Sequence, residues 1–377
     1  MKKHLFKLML LAVAVVSFTA CSDDDDNNTM PVINYASNGA YIVNAGNNGS
    51  QINGSLTYFD YNTSAATQNV FRTANSRELG LTVNDGVAYG SKIYVVVDGE
   101  NTVEVFDKKT FKSIKQIKTT DLLGDTNGAS PRHIVAGYGH VFFTTYGGYV
   151  AAVDTTQFTL TRSWKVGAYP EGLTLVNNII YVANSDFGNG NGTISAFNVN
   201  SDQVQTVTVK GIENPQKVYV TNDGQFAVLD WGHYLNEAPW TQENTGLKFV
   251  DFSTNDIIKT VPATMADYNP FNGNFYLVNA PYGTGITKYS VFNPSTNQNS
   301  TLQLSETPDD PANIKVDPIK GYVYILSRAI GESGYPDYSA NGYCLIFNLN
   351  GNLVKKVDTG VGPTDVFFDS YAYITQQ

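Results

Sequence analysis

One short pattern recurs along the chain and limits what it can fold into. At residues 168–185, "AYPEGLTLVNNIIYVANS", a proline is followed by a polar pair and two short apolar runs with a turn between them. This reads as strand, turn, strand. The leading proline returns at Pro131, Pro215, Pro311 and Pro363, and diverged copies without it start near Val83 and Thr264. The second apolar run returns eight times, from "AYIVNAG" to "YAYITQQ". A third run ends each unit in an apolar residue followed by Asp or Asn: Phe59-Asp60, Phe106-Asp107, Val153-Asp154, Phe197-Asn198, Val250-Asp251, Phe292-Asn293 and Phe347-Asn348. These endings are 47, 47, 44, 53, 42 and 55 residues apart. A turn-rich segment and a weaker fourth strand follow each of them.

Four short strands every 40–50 residues is the signature of a β-propeller blade. A single blade leaves its faces open, so the core forms by stacking blades around a ring. The expected fold is all-β: a propeller of seven four-stranded blades, closed by a blade that takes strands from both chain ends. The eighth copy of the second run leaves eight blades open. Charged residues are only 15% of the chain, with 24 Tyr and 33 Gly, a composition that suits strands and turns.

The N-terminus reads as a targeting segment. Lys2, Lys3 and Lys7 precede an apolar run from Leu8 to Phe18, too short for a stable bilayer anchor, and "FTAC" then places small residues before Cys21. The expected division is a lipoprotein signal at 1–20, lipidated Cys21 with an acidic flexible tether over 21–36 ("SDDDDNN"), and one propeller domain over 37–377. Losing the signal takes the formal net charge from −10 to −13, because three lysines leave with it. That balance argues against nucleic acid and against electrostatic membrane docking. With Cys21 lipidated, Cys344 has no intramolecular partner and reads as a buried small hydrophobe.

In a propeller the loops before the first strand and after the second emerge on one face. Here those loops are long and aromatic. They carry Phe187, Trp231, Tyr234, Trp240, Tyr282, Tyr335 and Tyr338, with Tyr146 at the end of "VFFTTY". Rigid aromatics with polar tips suit a binding surface. First strands surround the axis, so the polar pairs near their starts ring the channel mouth on that face. The candidate ligand-binding residues there are Asn84, Asp85, Arg132, His133, Glu171, Gln216, Asn313 and Asp365. These pairs differ between blades, which suits an asymmetric ligand held by mixed donors and acceptors. No HExxH, nucleophile elbow, CxxC or phosphate loop occurs. No catalytic residue, metal site or cofactor is expected; the Asp/Asn/Gly clusters near Asp125 and Asp186 read as turns.

The lipobox, the acidic tether, the start "AYIVNAGNNGSQINGSLTYFD" and the repeated units together resemble the YncE-like, surface-layer-type seven-bladed propeller lipoproteins of Bacteroides-type bacteria, and among them the BtuG-type cobalamin-binding surface lipoproteins. The resemblance implies a lipid-anchored protein on the extracellular face of the outer membrane. It would capture cobalamin (vitamin B12) or a related corrinoid and pass it to a TonB-dependent transporter of BtuB type. Two other classes fit the same loop face: a glycan-binding or scaffold propeller, and a lactonase- or lyase-type enzyme using Glu171, Arg132 and His133. Palmitate labelling is expected for the wild-type chain and lost in Cys21→Ala, with the domain accessible to protease on intact cells. Equal labelling of both chains, or full protection, would remove the surface placement.

Overall fold

The computed structural model describes residues 31–376, and the signal, Cys21 and the tether up to Met30 lie outside them. Seven four-stranded antiparallel sheets stand around one axis. The first six blades run in chain order, with first strands Val83–Tyr89, Pro131–Gly137, Pro170–Val176, Pro215–Val220, Met265–Asn269 and Asp310–Asp317. The seventh closes the ring. Its innermost strand is Pro363–Gln376 and its second is Pro31–Asn44, paired antiparallel, with Ser55–Asp60 and Ala66–Thr67 outside them.

The blade count is therefore seven, and the surplus copy of the second-strand motif has a different role. "YAYITQ" continues the innermost strand of the closing blade and pairs with residues 31–36. The propeller strand thus reaches back to Pro31, into the 21–36 segment expected to be tether. Register pairing with the C-terminal end holds those residues in extended backbone, which composition gave no means of foreseeing.

The repeated motifs have local physical causes. The Asp or Asn after each third strand accepts hydrogen bonds from main-chain N–H groups two to four residues on. Asp60 bonds Asn62 and Thr63, Asp107 bonds Lys109 and Thr110, Asp154 bonds Thr156 and Gln157, and Asn348 bonds Asn350 and Asn352. Each is an Asx-type turn that reverses the chain into the fourth strand. The apolar residue before it enters the packing between blades: Phe59, Phe106, Phe197 and Phe347 are almost fully buried. The valines of "KIYVVV" and "IIYVAN" are likewise buried, because second strands are covered on both sides. Cys344 is buried in Asn341–Asn348, and desolvation pushes its thiol well above the usual range.

Closure rests on packing as well as pairing. Phe367 of the innermost strand lies flat against Tyr41 of the second, ring centroids 4.9 Å apart and planes within 10°, in a cluster with Val83, Val95 and Phe106 of the first blade. Phe367→Ala is expected to lower unfolding free energy by about 3 kcal/mol. Chemical denaturation checks this, and a loss under about 1 kcal/mol would show that closure does not depend on that contact.

Candidate functional site

The polar pairs owe their aim to an irregularity in the backbone. In six of the seven blades, the ladder between first and second strands slips at the start of the first strand. The slips lie between Val83 and Asp85, Pro131 and Ile134, Pro170 and Leu173, Pro215 and Lys217, Pro311 and Asn313, and opposite Thr364 in the closing blade. A bulge inserts unpaired residues and re-aims their side chains. The leading proline, which has no N–H to give the ladder, sits immediately before the slip in five of them. In the fifth blade Met265 replaces it and the ladder is regular.

The bulges open onto a cavity of about 750 Å³ at the axis. Twelve of the fifteen ligand-binding candidates line it: Asn84, Asp85, Arg132, His133, Tyr146, Glu171, Phe187, Gln216, Trp231, Tyr234, Asn313 and Asp365. Trp240, Tyr282 and Tyr335 do not. All three are exposed on outlying loops, Tyr335 most of all at 74%. Tyr282 reaches the rim through Tyr234, at 6.0 Å between rings, and through Gln242, which bonds both its main chain and the Trp231 carbonyl. Their loops leave these three side chains outside the cavity lining.

Charges in the cavity are paired between blades. Arg132 donates through Nε to Glu171 Oε2 at 3.0 Å and through a terminal nitrogen to Asp98 Oδ2 at 2.7 Å, joining the first three blades. Its guanidinium also lies 4.5 Å from the centre of the Tyr146 ring. The Tyr146 hydroxyl donates to Glu171 Oε1 at 2.5 Å. Burial, followed by the Glu171 charge, pushes that hydroxyl well above its ordinary range. Glu171 thus has both oxygens engaged and is almost fully buried. His133 Nδ1 lies 3.1 Å from Asp85 Oδ2, which also accepts from the Ile134 N–H. Burial opposes the charge on Asp85, but its bonds to His133 and Ile134 and the charge of Lys315 hold its carboxyl below the usual range.

Deeper in, Lys315 meets Asp365 at 2.7 Å, while Lys217 stands 4.0 Å from Asp267. Burial works against the Lys315 charge, yet Asp365, Asp267 and Asp85 together keep it protonated far into the alkaline range. Burial and repulsion from Lys315 move Lys217 the other way. Lys315 and Asp267 were absent from the sequence candidates. The signal available was period two: each sits two residues inward of a mouth position, and a charge there faces the axis rather than a blade. Beyond this waist a second cavity of about 950 Å³ opens toward the opposite face, walled by Ala136, Leu175, Val176 and Val220.

Part of the polar ring is structural. Asn84 Nδ2 donates to the Pro131 carbonyl at 3.3 Å and Asn313 Nδ2 to the Thr364 carbonyl at 2.8 Å, each tying one blade to the next. Gly172 occupies its position for lack of room: a Cβ there would lie 2.5 Å from the Gln216 carbonyl oxygen. Asp85, His133 and Asp365 bring donor atoms within 4.8 Å of one another. The Lys315 ammonium already pairs with Asp365 at 2.7 Å.

The rim is aromatic. Phe187, Tyr146 and Tyr169 form a mutually packed group with centroids 5.2–5.9 Å apart, and Phe187 is 65% exposed. Tyr169 was missed because it precedes the proline that marked the strand. Trp231 is pinned by its indole N–H to the Thr264 carbonyl at 2.8 Å. Its loop springs from Asp230, which is fully buried against Lys248 at 2.7 Å and accepts the main-chain N–H groups of Glu213, Asn214 and Gly232.

Ring, bulged inner strands and a polar axial cavity with an aromatic rim together define a seven-bladed propeller with a candidate binding site at one mouth of its channel. Residues 38–368 match the family described as a domain of unknown function (DUF5074), and the chain belongs to that family. No curated protein matches it. Among solved structures it is similar to a putative 6-phosphogluconolactonase from Bacteroides uniformis ATCC 8492 (TM-score 0.58, 15% identity, covering 88% of this chain and 100% of that one). Another from Bacteroides fragilis NCTC 9343 gives TM-score 0.58 and 13% identity over 90% and 98% of the two chains. Kuenenia stuttgartiensis hydrazine synthase gives 0.57 and 13% over 78% and 95%. At these identities the likeness is one of fold.

Arg132→Ala leaves the Glu171 and Asp98 carboxylates without their common cation. It is expected to cost about 2–3 kcal/mol of stability. Adding Glu171→Gln removes one orphaned charge and is expected to recover about 1 kcal/mol of that loss. Denaturation of the single and double variants checks this; strictly additive losses would show that the pair is not coupled.

Proposed function

We propose that this protein captures a large, polar, nearly neutral ligand at the mouth of the propeller, and that the ligand is cobalamin or a related corrinoid. The observation that carries the reading is charge pairing inside an otherwise wide, polar mouth. Arg132 and Lys315 each have a carboxylate at 3.0 Å or less, and Lys217 faces Asp267 at 4.0 Å. A site for a phosphorylated sugar needs cations left free for the anion. Here two of the three cations, Arg132 and Lys315, are already spent on carboxylates at hydrogen-bond distance, and the third faces one, which disfavours a phospholactone substrate despite the lactonase-like neighbours. Glu171 is almost fully buried, and both of its oxygens already accept a hydrogen bond, from Tyr146 and Arg132, so it is committed to the wall of the site more than a free carboxylate would be.

A corrinoid suits the surface that remains. It is a wide macrocycle edged by amides, which asks for mixed donors and acceptors, and its flat faces and apolar edges ask for aromatic contact. Phe187, Trp231 and Tyr234 supply exposed aromatic area on the rim, and Gln216 adds an amide. In the proposed setting the protein is held on the outer face of the outer membrane by lipid on Cys21 and hands its cargo to a TonB-dependent transporter of BtuB type. The resemblance of the N-terminal segment and of the repeats to the cobalamin-binding propeller lipoproteins supports that setting.

Calorimetry with cyanocobalamin should show binding at micromolar protein. Phe187→Ala and Trp231→Ala should each raise Kd about tenfold or more if they are buried by the ligand. Lys109→Ala, in a turn on the opposite face, should leave Kd unchanged. Absence of binding to cyanocobalamin and to cobinamide would end the reading. Binding on a glycan array, or turnover of lactones, would put one of the other two classes in its place.

A further inference from the structure

His133 is held as metal-binding imidazoles are held. Its main-chain N–H donates to Thr144 Oγ1 at 3.1 Å, and the bulge after Pro131 turns its side chain into the cavity. Its Nδ1 faces Asp85 Oδ2 at 3.1 Å. Asp85 is itself fixed, since its two oxygens accept the Gly86 and Ile134 N–H groups at 2.7 and 3.0 Å. A carboxylate on one ring nitrogen sets the tautomer, orients the ring and raises the basicity of the other nitrogen. That other nitrogen, Nε2, has no hydrogen-bond partner among the described residues. Its nearest carboxylate oxygen, on Glu171, is 3.9 Å away and already accepts from Arg132.

Resting on the corrinoid reading above, we propose that His133 is the metal-ligating residue of the site, with Nε2 coordinating the cobalt of the captured corrinoid at an axial position. The step is a ligand substitution. The bond from cobalt to an axial water breaks, the bond from cobalt to Nε2 forms, water leaves to solvent, and the oxidation state of cobalt does not change. Asp85 acts as a positioning residue that keeps the proton on Nδ1 and the lone pair on Nε2. The remainder of the mouth, with Gln216 and the aromatic rim, then grips the macrocycle while the imidazole reads the metal.

Diaquocobinamide tests this, because it has exchangeable water on both faces and no base of its own. Mixed with the purified protein, it should show the visible-band shift of a nitrogen ligand replacing water. Chemically reduced to the cobalt(II) form and bound, it should show the threefold nitrogen splitting in its electron paramagnetic resonance spectrum. His133→Ala and His133→Gln should abolish both signatures. Either change should weaken diaquocobinamide binding by about ten- to hundredfold. The loss for dicyanocobinamide, whose axial positions are blocked by cyanide, should be at least tenfold smaller. The spectra of the wild-type protein decide the matter even where a variant fails to fold. Tight binding with the water-ligated spectrum retained would overturn the histidine ligation and leave the corrinoid reading standing; an imidazolium held between Asp85 and Glu171 would give that result. No binding of either cobinamide overturns the ligation; the corrinoid reading falls with it only where cyanocobalamin also fails to bind.

Discussion

Everything in this molecule depends on the pairing of Pro31–Asn44 with Pro363–Gln376. Each of the other six blades is built from a continuous stretch of chain, but a ring of blades has no core until its last gap is filled. The closing blade fills it with strands from both ends of the sequence, more than 300 residues apart, so the entropy of that long loop is set against one ladder and the packing it brings. The stacked Phe367 and Tyr41, and the cluster that ties them to Val83 and Val95, are what make the exchange favourable. Closure also satisfies the two edges that an open arc of blades would expose.

The candidate site is a consequence of the ring. Inner strands converge on the axis, so residues displaced by the bulges in six blades meet across a few ångströms although they lie far apart in sequence. Arg132 joins Asp98 and Glu171 from the blades on either side, and Lys315 joins Asp365 of the closing blade. These pairs are structural fasteners and an electrostatic filter at once. They hold neighbouring inner strands together, and by neutralising one another they leave a mouth that is polar without a strong net charge. The functional reading grows from that combination: a wide opening, few uncommitted charges, amides and aromatic rings on the rim, and one histidine whose outward nitrogen has no hydrogen-bond partner among the described residues.

Much of this was legible in the chain. The apolar-Asp/Asn endings counted seven blades because each marks a turn with its own hydrogen-bond logic, as Asp107 and Asn348 show. The leading prolines marked the starts of inner strands, and the polar residues after them reached the channel as the topology required. Less legible was anything that depends on partners. "YAYITQ" had the pattern of a second strand, yet it prolongs an inner one, because period two cannot say which strand lies alongside. Residues 31–36 looked like tether for the same reason. Trp240, Tyr282 and Tyr335 shared composition with Trp231 and Tyr234, but their loops leave them outside the cavity lining. Nothing in the local sequence encodes that placement.

The sequence by itself determined the strand periodicity, the repeat length, the turn chemistry and hence the propeller, since these are local properties carried by neighbouring residues. It also determined which residue types crowd the mouth. Only the tertiary structure decided how those residues pair. That Asn84 and Asn313 fasten blades, that Glu171 accepts from Tyr146 and Arg132, and that His133 Nε2 has no hydrogen-bond partner among the described residues are facts about distances across the ring. Such distances are fixed by blade number and closure, and a linear pattern contains neither until the ends of the chain have met.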